Sequence, residues 1–276
     1  MGSRVQMTPY LDQRNPIAAT GVSVSPIGLG TVKLGRDKGV KYPNDFKIPD
    51  DKQALELLAQ AWELGINLID TAPAYGTSEE RLGLLLPKLN KEWILATKVG
   101  EIFDNSTGES AYNFSPEFIT TSIKQSLKKL RRDVLDIVLI HSDGNDVEII
   151  QQGALDVLAD LKQQGLIRAT GMSTKTVQGG LLALQHSDLA MVMHNLEYQD
   201  EQKVIEQAAL DDKGIFIKKA FASGHLTNNK QTDTVQASFD FIYQQAAVSS
   251  IIIGTITPAH LEDNVNKAVI ALNKPR

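Results

Sequence analysis

Eight times along this chain of 276 residues, a short apolar run is followed by a stretch with helical periodicity. The runs expected as strands are residues 26–32, 66–70, 93–98, 135–141, 167–173, 189–195, 215–219 and 250–254. They are nearly continuous in apolar residues, as parallel strands covered on both faces must be. Helices are expected from Asp50 to Gly65, from Thr77, from Ser115-Pro116, over residues 146–164, 176–185, 202–210 and 232–245, and from Thr257-Pro258. Asp50 with Gln53 and Thr77 with Glu80 have capping-box spacing, Pro116 suits a first helical position, and Gly65 suits a stop. Leu55, Leu58, Ala59 and Trp62 form the expected inward stripe of the first helix; Leu82, Leu85, Leu86 and Leu89 form that of the second. A preliminary N-terminal β-hairpin is expected over residues 7–25, turning at Thr20-Gly21. The strand–helix alternation predicts an α/β chain folded as a (β/α)8 TIM barrel, one domain over residues 1–276.

Composition narrows the partners. The net charge of −5 gives no global attraction to nucleic acid or to an anionic membrane. No apolar run approaches a membrane span, and the first residues lack the apolar centre of a signal peptide. The chain has no cysteine, which excludes disulfides and thiolate metal sites and fits a reducing compartment. A cytoplasmic protein, monomeric or weakly oligomeric, is expected.

The polar residues of the strands collect at one end. The strands finish in Gly30-Thr31, Asp70, Lys98, His141, Ser173, Asn195, Lys218-Lys219 and Gly254-Thr255, while their interiors are apolar. This is the C-terminal rim, where barrel enzymes keep their sites. Lys98 on a buried strand needs a partner, and Asp70, one strand away, is the natural one. A structural ion pair accounts for these two equally well. With Tyr75 and His141 added, the set makes a proton donor: an ammonium pulls a phenol's pKa down from about 10, and a carboxylate fixes the ammonium. A histidine beside it can bond the same substrate oxygen.

The residues Asp70-Thr71-Ala72-Pro73-Ala74-Tyr75-Gly76 with Ser78-Glu79, then Ala96-Thr97-Lys98, residues 136–142, residues 165–173 and residues 254–258 with Leu261, Glu262, Asp263 and Asn264 stand in a fixed order. Together they resemble the motifs of the aldo-keto reductases over nearly the whole chain. The resemblance implies an NADP-dependent oxidoreductase that reduces aldehydes and ketones to alcohols. It assigns Tyr75 as general acid, Lys98 and Asp70 as the groups that lower its pKa, and His141 as the group orienting the carbonyl. The cofactor, NADPH or possibly NADH, would lie across the barrel mouth without a Rossmann domain, and no third glycine follows Gly28 and Gly30. Ser173 and Asn195 match positions that hold the carboxamide. The loop with Ser223 and Gly224 matches the segment around the pyrophosphate, and Asp263 and Asn264 match residues that read the adenine. Gly30, Thr31, Thr174, Lys218, Lys219, Phe221, Gly254, Thr255, Thr257 and His260 complete the expected cofactor contacts.

Several positions depart from the family's habit. Thr174 and Asn195 stand for its usual Asn and Gln, and Lys218 for the aromatic that stacks on the nicotinamide. Phe221 is the candidate replacement; the two lysines alternatively bind phosphate or an acidic substrate group. His260 stands where a basic residue clamps the 2′-phosphate. Residues 99–114, with three aromatics, are expected as a pocket wall. The short segment after the last helix implies an open pocket for a small carbonyl substrate. Two competing expectations are a nucleotide-binding sensor or regulatory subunit on the same barrel, and a lyase or isomerase using Lys98 as a Schiff base.

Overall fold

The structure, a computed structural model, describes residues 10–40, 45–222 and 233–275. In chain order the strands are β1 (Asn15–Pro16), β2 (Ser23–Val24), β3 (Ile27–Gly30), β4 (Leu68–Asp70), β5 (Ile94–Val99), β6 (Glu101–Asp104), β7 (Glu109–Tyr112), β8 (Leu135–His141), β9 (Ile167–Ser173), β10 (Leu189–Met193), β11 (Gly214–Lys218) and β12 (Val248–Ile253). The helices are α1 (Val32–Gly35), α2 (Asp51–Glu63), α3 (Ser78–Leu89), α4 (Pro116–Leu130), α5 (Asp146–Gln151), α6 (Ala154–Gln163), α7 (Val177–His186), α8 (Gln202–Leu210), α9 (Thr234–Ile242) and α10 (Pro258–Leu272). Eight parallel strands, in the order β3-β4-β5-β8-β9-β10-β11-β12, close into a barrel where β12 pairs with β3. The expected (β/α)8 barrel and N-terminal hairpin, β1 with β2, are both present.

Side chains alternate across each strand, so one set fills the barrel and the other meets the helices. Leu68, Ala96, Ile137, Leu139, Ala169, Met191 and Phe216 pack inside it, and Ile17, Val22 and Val24 of the hairpin segment close its lower end. Ile69, Leu95, Val138, Ile140, Met172 and Val192 point outward into the larger core under the helices.

Four sequence expectations are corrected. Helix α2 has its Asp50–Gln53 capping box, but it buries Ala54, Leu57, Leu58 and Ala61. Its face is turned by about one residue, because the small Ala54 and Ala61 let the helix approach the barrel; Trp62 stays at the edge against Trp93, ring centroids 5.1 Å apart. Thr77 caps nothing with its side chain, since its backbone (φ −88°, ψ 5°) is not the extended form a capping side chain requires. Residues 146–164 form two helices, α5 and α6, divided at Gly153, whose φ is +87°. Residues 99–114 contain an antiparallel hairpin, β6 with β7, in place of the expected loop.

Candidate active site

Strand parity decides which polar groups enter the barrel mouth. Asp70 lies two residues above Leu68, Lys98 two above Ala96, and His141 two above Leu139. Each therefore shares the inward face of its strand and sits one layer higher. Ser173 and Lys218 arrive by the same rule from Gly171 and Phe216. Thr97, of opposite parity, turns outward and donates to Glu79 Oε1 at 2.7 Å.

Tyr75 is positioned by a tight turn rather than by a strand. Its amide donates to Ala72 O at 3.0 Å and its carbonyl accepts from Ser78 at 3.2 Å. Gly35 and Gly76 interlock beneath it: a Cβ on Gly76 would collide with Gly35 O, and one on Gly35 with Tyr75 O. Gly76 also has φ +62°, which a side chain would oppose. Behind the turn a chain of hydroxyls runs from Thr71 to Ser78 (3.1 Å) and from Ser78 to Thr31 (2.8 Å). Thr31 in turn donates to Asp70 O at 2.9 Å, so strand end and turn are held as one unit.

The charges meet at the centre. Lys98 Nζ lies 2.6 Å from Asp70 Oδ1 and 3.0 Å from Thr71 O, with both side chains almost wholly buried. The ammonium stands 4.8 Å from the centroid of the Tyr75 ring. The rings of Tyr75 and His141 meet edge to face, 6.2 Å between centroids. His141 Nδ1 is 2.8 Å from Glu101 Oε2. Burial lowers the pKa of His141; the Glu101 contact opposes this, and the cations Lys98 and Lys218 reinforce it. Burial alone would raise the Glu101 carboxyl, but His141, Ser110 and Arg36 outweigh it and hold its pKa down to about 2.

A cavity of about 1320 Å³ spans the mouth, larger than a drug-sized pocket and ample for a dinucleotide with a small substrate. All four of Asp70, Tyr75, Lys98 and His141 line it. So do Gly30, Ser173, Thr174, Lys218, Lys219, Phe221, Gly254, Thr255, His260, Asp263 and Asn264. Thr31 and Asn195 are buried behind the wall. The Asn195 side chain is spent on backbone: its amide donates to Lys219 O at 3.0 Å, and its oxygen accepts from Glu197 and Tyr198. Thr257 is exposed at the start of α10 without a side-chain cap. Ser223 and Gly224 lie outside the described residues.

Lys218 donates to Ser173 Oγ at 2.9 Å and Thr174 O at 2.6 Å, so it braces the floor of the cavity. Burial pulls its ammonium down to about 8, with Glu201 opposing and Lys219 assisting. Glu201, from the start of α8, accepts from the Met193 amide at 2.9 Å and lines the same floor. Phe221 stacks edge to face on Phe239, 5.2 Å between centroids. Among the described residues no group of His, Asp and Glu could hold a metal ion.

Glu101, Arg36, Glu201 and Lys267 line the cavity without having been read as site residues. Glu101 sits three residues beyond Lys98 in a segment with no strand signal, and an acid so close to a buried strand end was the one hint available. Of the hairpin residues it is Glu101 that lines the cavity, while Phe103 lies under the Arg36 guanidinium, 3.4 Å from its ring centroid.

The sequence profile described as "Aldo/keto reductase family" matches residues 26–240. Among curated proteins the chain is similar to D-threo-aldose 1-dehydrogenase of Pseudomonas sp, 24% identical over 92% of each chain. It is also similar to the NADH-specific methylglyoxal reductase of Escherichia coli (strain K12), 31% identical over 74% of this chain and 65% of that one. Among solved structures it resembles PA4992 of Pseudomonas aeruginosa, assigned provisionally to the aldo-keto reductases. That chain is 49% identical, with TM-score 0.87, and the match covers 98% of this chain and 100% of the other.

Proposed function

The chain belongs to the aldo/keto reductase family, oxidoreductases that act on carbonyls with a nicotinamide cofactor, and from that premise we propose that it reduces small aldehydes and ketones with Tyr75 as general acid. The observation carrying this reading is the buried Lys98–Asp70 pair, 2.6 Å apart, set against the Tyr75 ring inside one cavity. When bound, the reduced nicotinamide supplies the hydride that reaches the carbonyl carbon.

The chain's own residues handle the proton and the developing charge. As the carbonyl oxygen gains charge it takes the Tyr75 hydroxyl proton. The ammonium of Lys98, itself almost wholly buried, then faces a phenolate, and their attraction favours that state. Asp70 and Thr71 O hold the ammonium in place, so little reorganisation is needed during the step. Ser173 and Lys218 form the polar floor against which the cofactor's amide end would rest, and Asp263 and Asn264 the opposite wall.

NADPH remains the cofactor of this proposal, with little discrimination against NADH. The cation on the α10 wall, Lys267, is shared between Asp263 at 2.5 Å and Asp233 at 3.1 Å. Those three described groups together give no net positive charge for a 2′-phosphate. We expect the two dissociation constants to differ by less than about tenfold, or about 1.4 kcal/mol. Fluorescence titration with each cofactor measures that ratio.

Tyr75→Phe tests the chemistry. It removes the proton donor and keeps the ring, so carbonyl reduction should fall by about 10²–10⁴ while NADPH affinity stays within twofold. Full activity in that variant would refute the assignment.

A further inference from the structure

We propose that Lys218 sets the balance between the two redox forms of the nicotinamide cofactor: its ammonium, held at the floor of the cavity, disfavours the positively charged oxidised ring and so promotes release of spent cofactor. The inference rests on the reductase reading above and adds to it a charge that the proton transfer does not use.

Strand register fixes where this charge sits. Lys218 ends β11, where Met193 of β10 is its partner, and Ser173 of β9 pairs with Met191 of the same β10. The side chain therefore reaches across β10 to donate to Ser173 Oγ at 2.9 Å and to Thr174 O at 2.6 Å. Ser173 is in turn the register partner of His141 at the end of β8, and the His141 ring meets that of Tyr75. The ammonium thus stands at the reacting end of the cavity, and its field reaches His141. Hydride transfer needs the nicotinamide ring against the carbonyl carbon whose oxygen Tyr75 protonates. Ring and ammonium are confined to the same end of a cavity lined by Tyr75, His141, Ser173 and Lys218.

A dihydronicotinamide ring is neutral, and the loss of hydride leaves it with a positive charge. The two acceptors bonded to Lys218, a hydroxyl and a carbonyl, are both uncharged and leave its own charge uncancelled. The ionisable groups around it are Glu201 at the start of α8, Asp146 of α5, Lys219 beside it and Lys175 beyond β9. Two carboxylates thus stand against three ammoniums. Glu201 is also engaged by the Met193 amide at 2.9 Å, and Asp146 by the Lys175 and Thr176 amides at 2.9 and 2.7 Å. Burial holds the pKa of Lys218 down to about 8. Its charge is therefore complete near pH 6 and lost as pH rises past that value. A cationic ring beside it lowers the value further, so binding of the oxidised cofactor expels a proton.

Calorimetric titration of the full chain with NADP+ and with NADPH gives the ratio of their dissociation constants, oxidised over reduced. The 2′-phosphate is common to both and cancels. In the unmodified protein the ratio should fall by about tenfold between about pH 6.5 and pH 9.5, the order expected for two unit charges about 10 Å apart at a protein's effective dielectric. Lys218→Gln, which keeps an N–H donor and removes the charge, should show the low ratio throughout. Lys218→Arg should hold the high ratio across the whole range. Glu201→Gln should move the fall to lower pH, because Glu201 favours the charged lysine. If a variant fails to fold, the profile of the unmodified protein still decides. A ratio flat with pH in that protein, or unchanged by Lys218→Gln, would overturn the inference. If neither nucleotide bound the unmodified protein, the reductase reading itself would fall; binding of both with an unresponsive ratio would remove only the role given to Lys218.

Discussion

A buried histidine away from the barrel mouth makes acid stability a residue-scale property. His194 is wholly buried, stacks on Phe241 at 4.8 Å, and has no hydrogen-bond partner for either ring nitrogen among the described residues. Burial lowers its pKa below the ordinary 6.5. Below pH 6.5 the unfolded chain therefore binds a proton that the folded chain refuses, so stability is complete above that pH and is lost as pH falls toward the lowered value. The slope from this residue is at most about 1.4 kcal/mol per pH unit. Thermal unfolding at pH 7 and pH 5 should show a smaller difference for His194→Phe, which keeps a ring against Phe241. His141 adds a term of the same sign in both proteins, so the comparison isolates His194. At this scale, Asp70, Lys98 and His141 were legible in the sequence because each ends an apolar strand on its inward parity. Glu101 was not, since it reaches the cavity through a fold-back that no residue of the segment signals alone.

At the scale of elements, helix starts offer a paired prediction. Asp50 accepts from the Gln53 amide at 2.8 Å, and Gln53 answers with an acceptor for the Asp50 amide at 3.1 Å. Asp50→Ala should cost about 1 kcal/mol. Thr77→Ala should change stability by less than about 0.5 kcal/mol, because the Thr77 side chain caps nothing. Urea unfolding of both variants measures the contrast. Both starts have the same sequence spacing. What separates them is the turn holding Tyr75, which fixes the backbone before α3 and leaves Thr77 unable to reach. The β6–β7 hairpin was illegible for another reason. All four residues of β7 are exposed, so neither face carries the apolar alternation that marks a strand. The break between α5 and α6 was hidden because an isolated Gly153 in a periodic stretch is usually tolerated.

Over the whole molecule, the two ends of the barrel divide the work. The lower end is tied by Arg168, which donates to Asp136 Oδ1 at 2.8 Å and to Gly21 O, in the N-terminal hairpin's turn, at 3.0 Å. Asp136 also accepts from the Leu95 amide at 3.0 Å, so one carboxylate joins the first turns of three strands to the hairpin. The upper end carries Tyr75, Lys98 and His141, and its polar groups are arranged around a cavity instead of being packed away. Packing at one end and an open polar cavity at the other is how this architecture tolerates a charged mouth. Arg168→Ala should therefore cost about 1–2 kcal/mol in urea unfolding, since the guanidinium is 41% exposed and Asp136 keeps its bond to Leu95. Its NADPH affinity should stay within twofold of the parent. Tyr75→Phe should show the opposite pattern, with stability nearly unchanged and reduction lost. If Arg168→Ala weakened cofactor binding as strongly as it weakened folding, the mouth would have to be held in shape from below, and the independence of the two ends would be wrong.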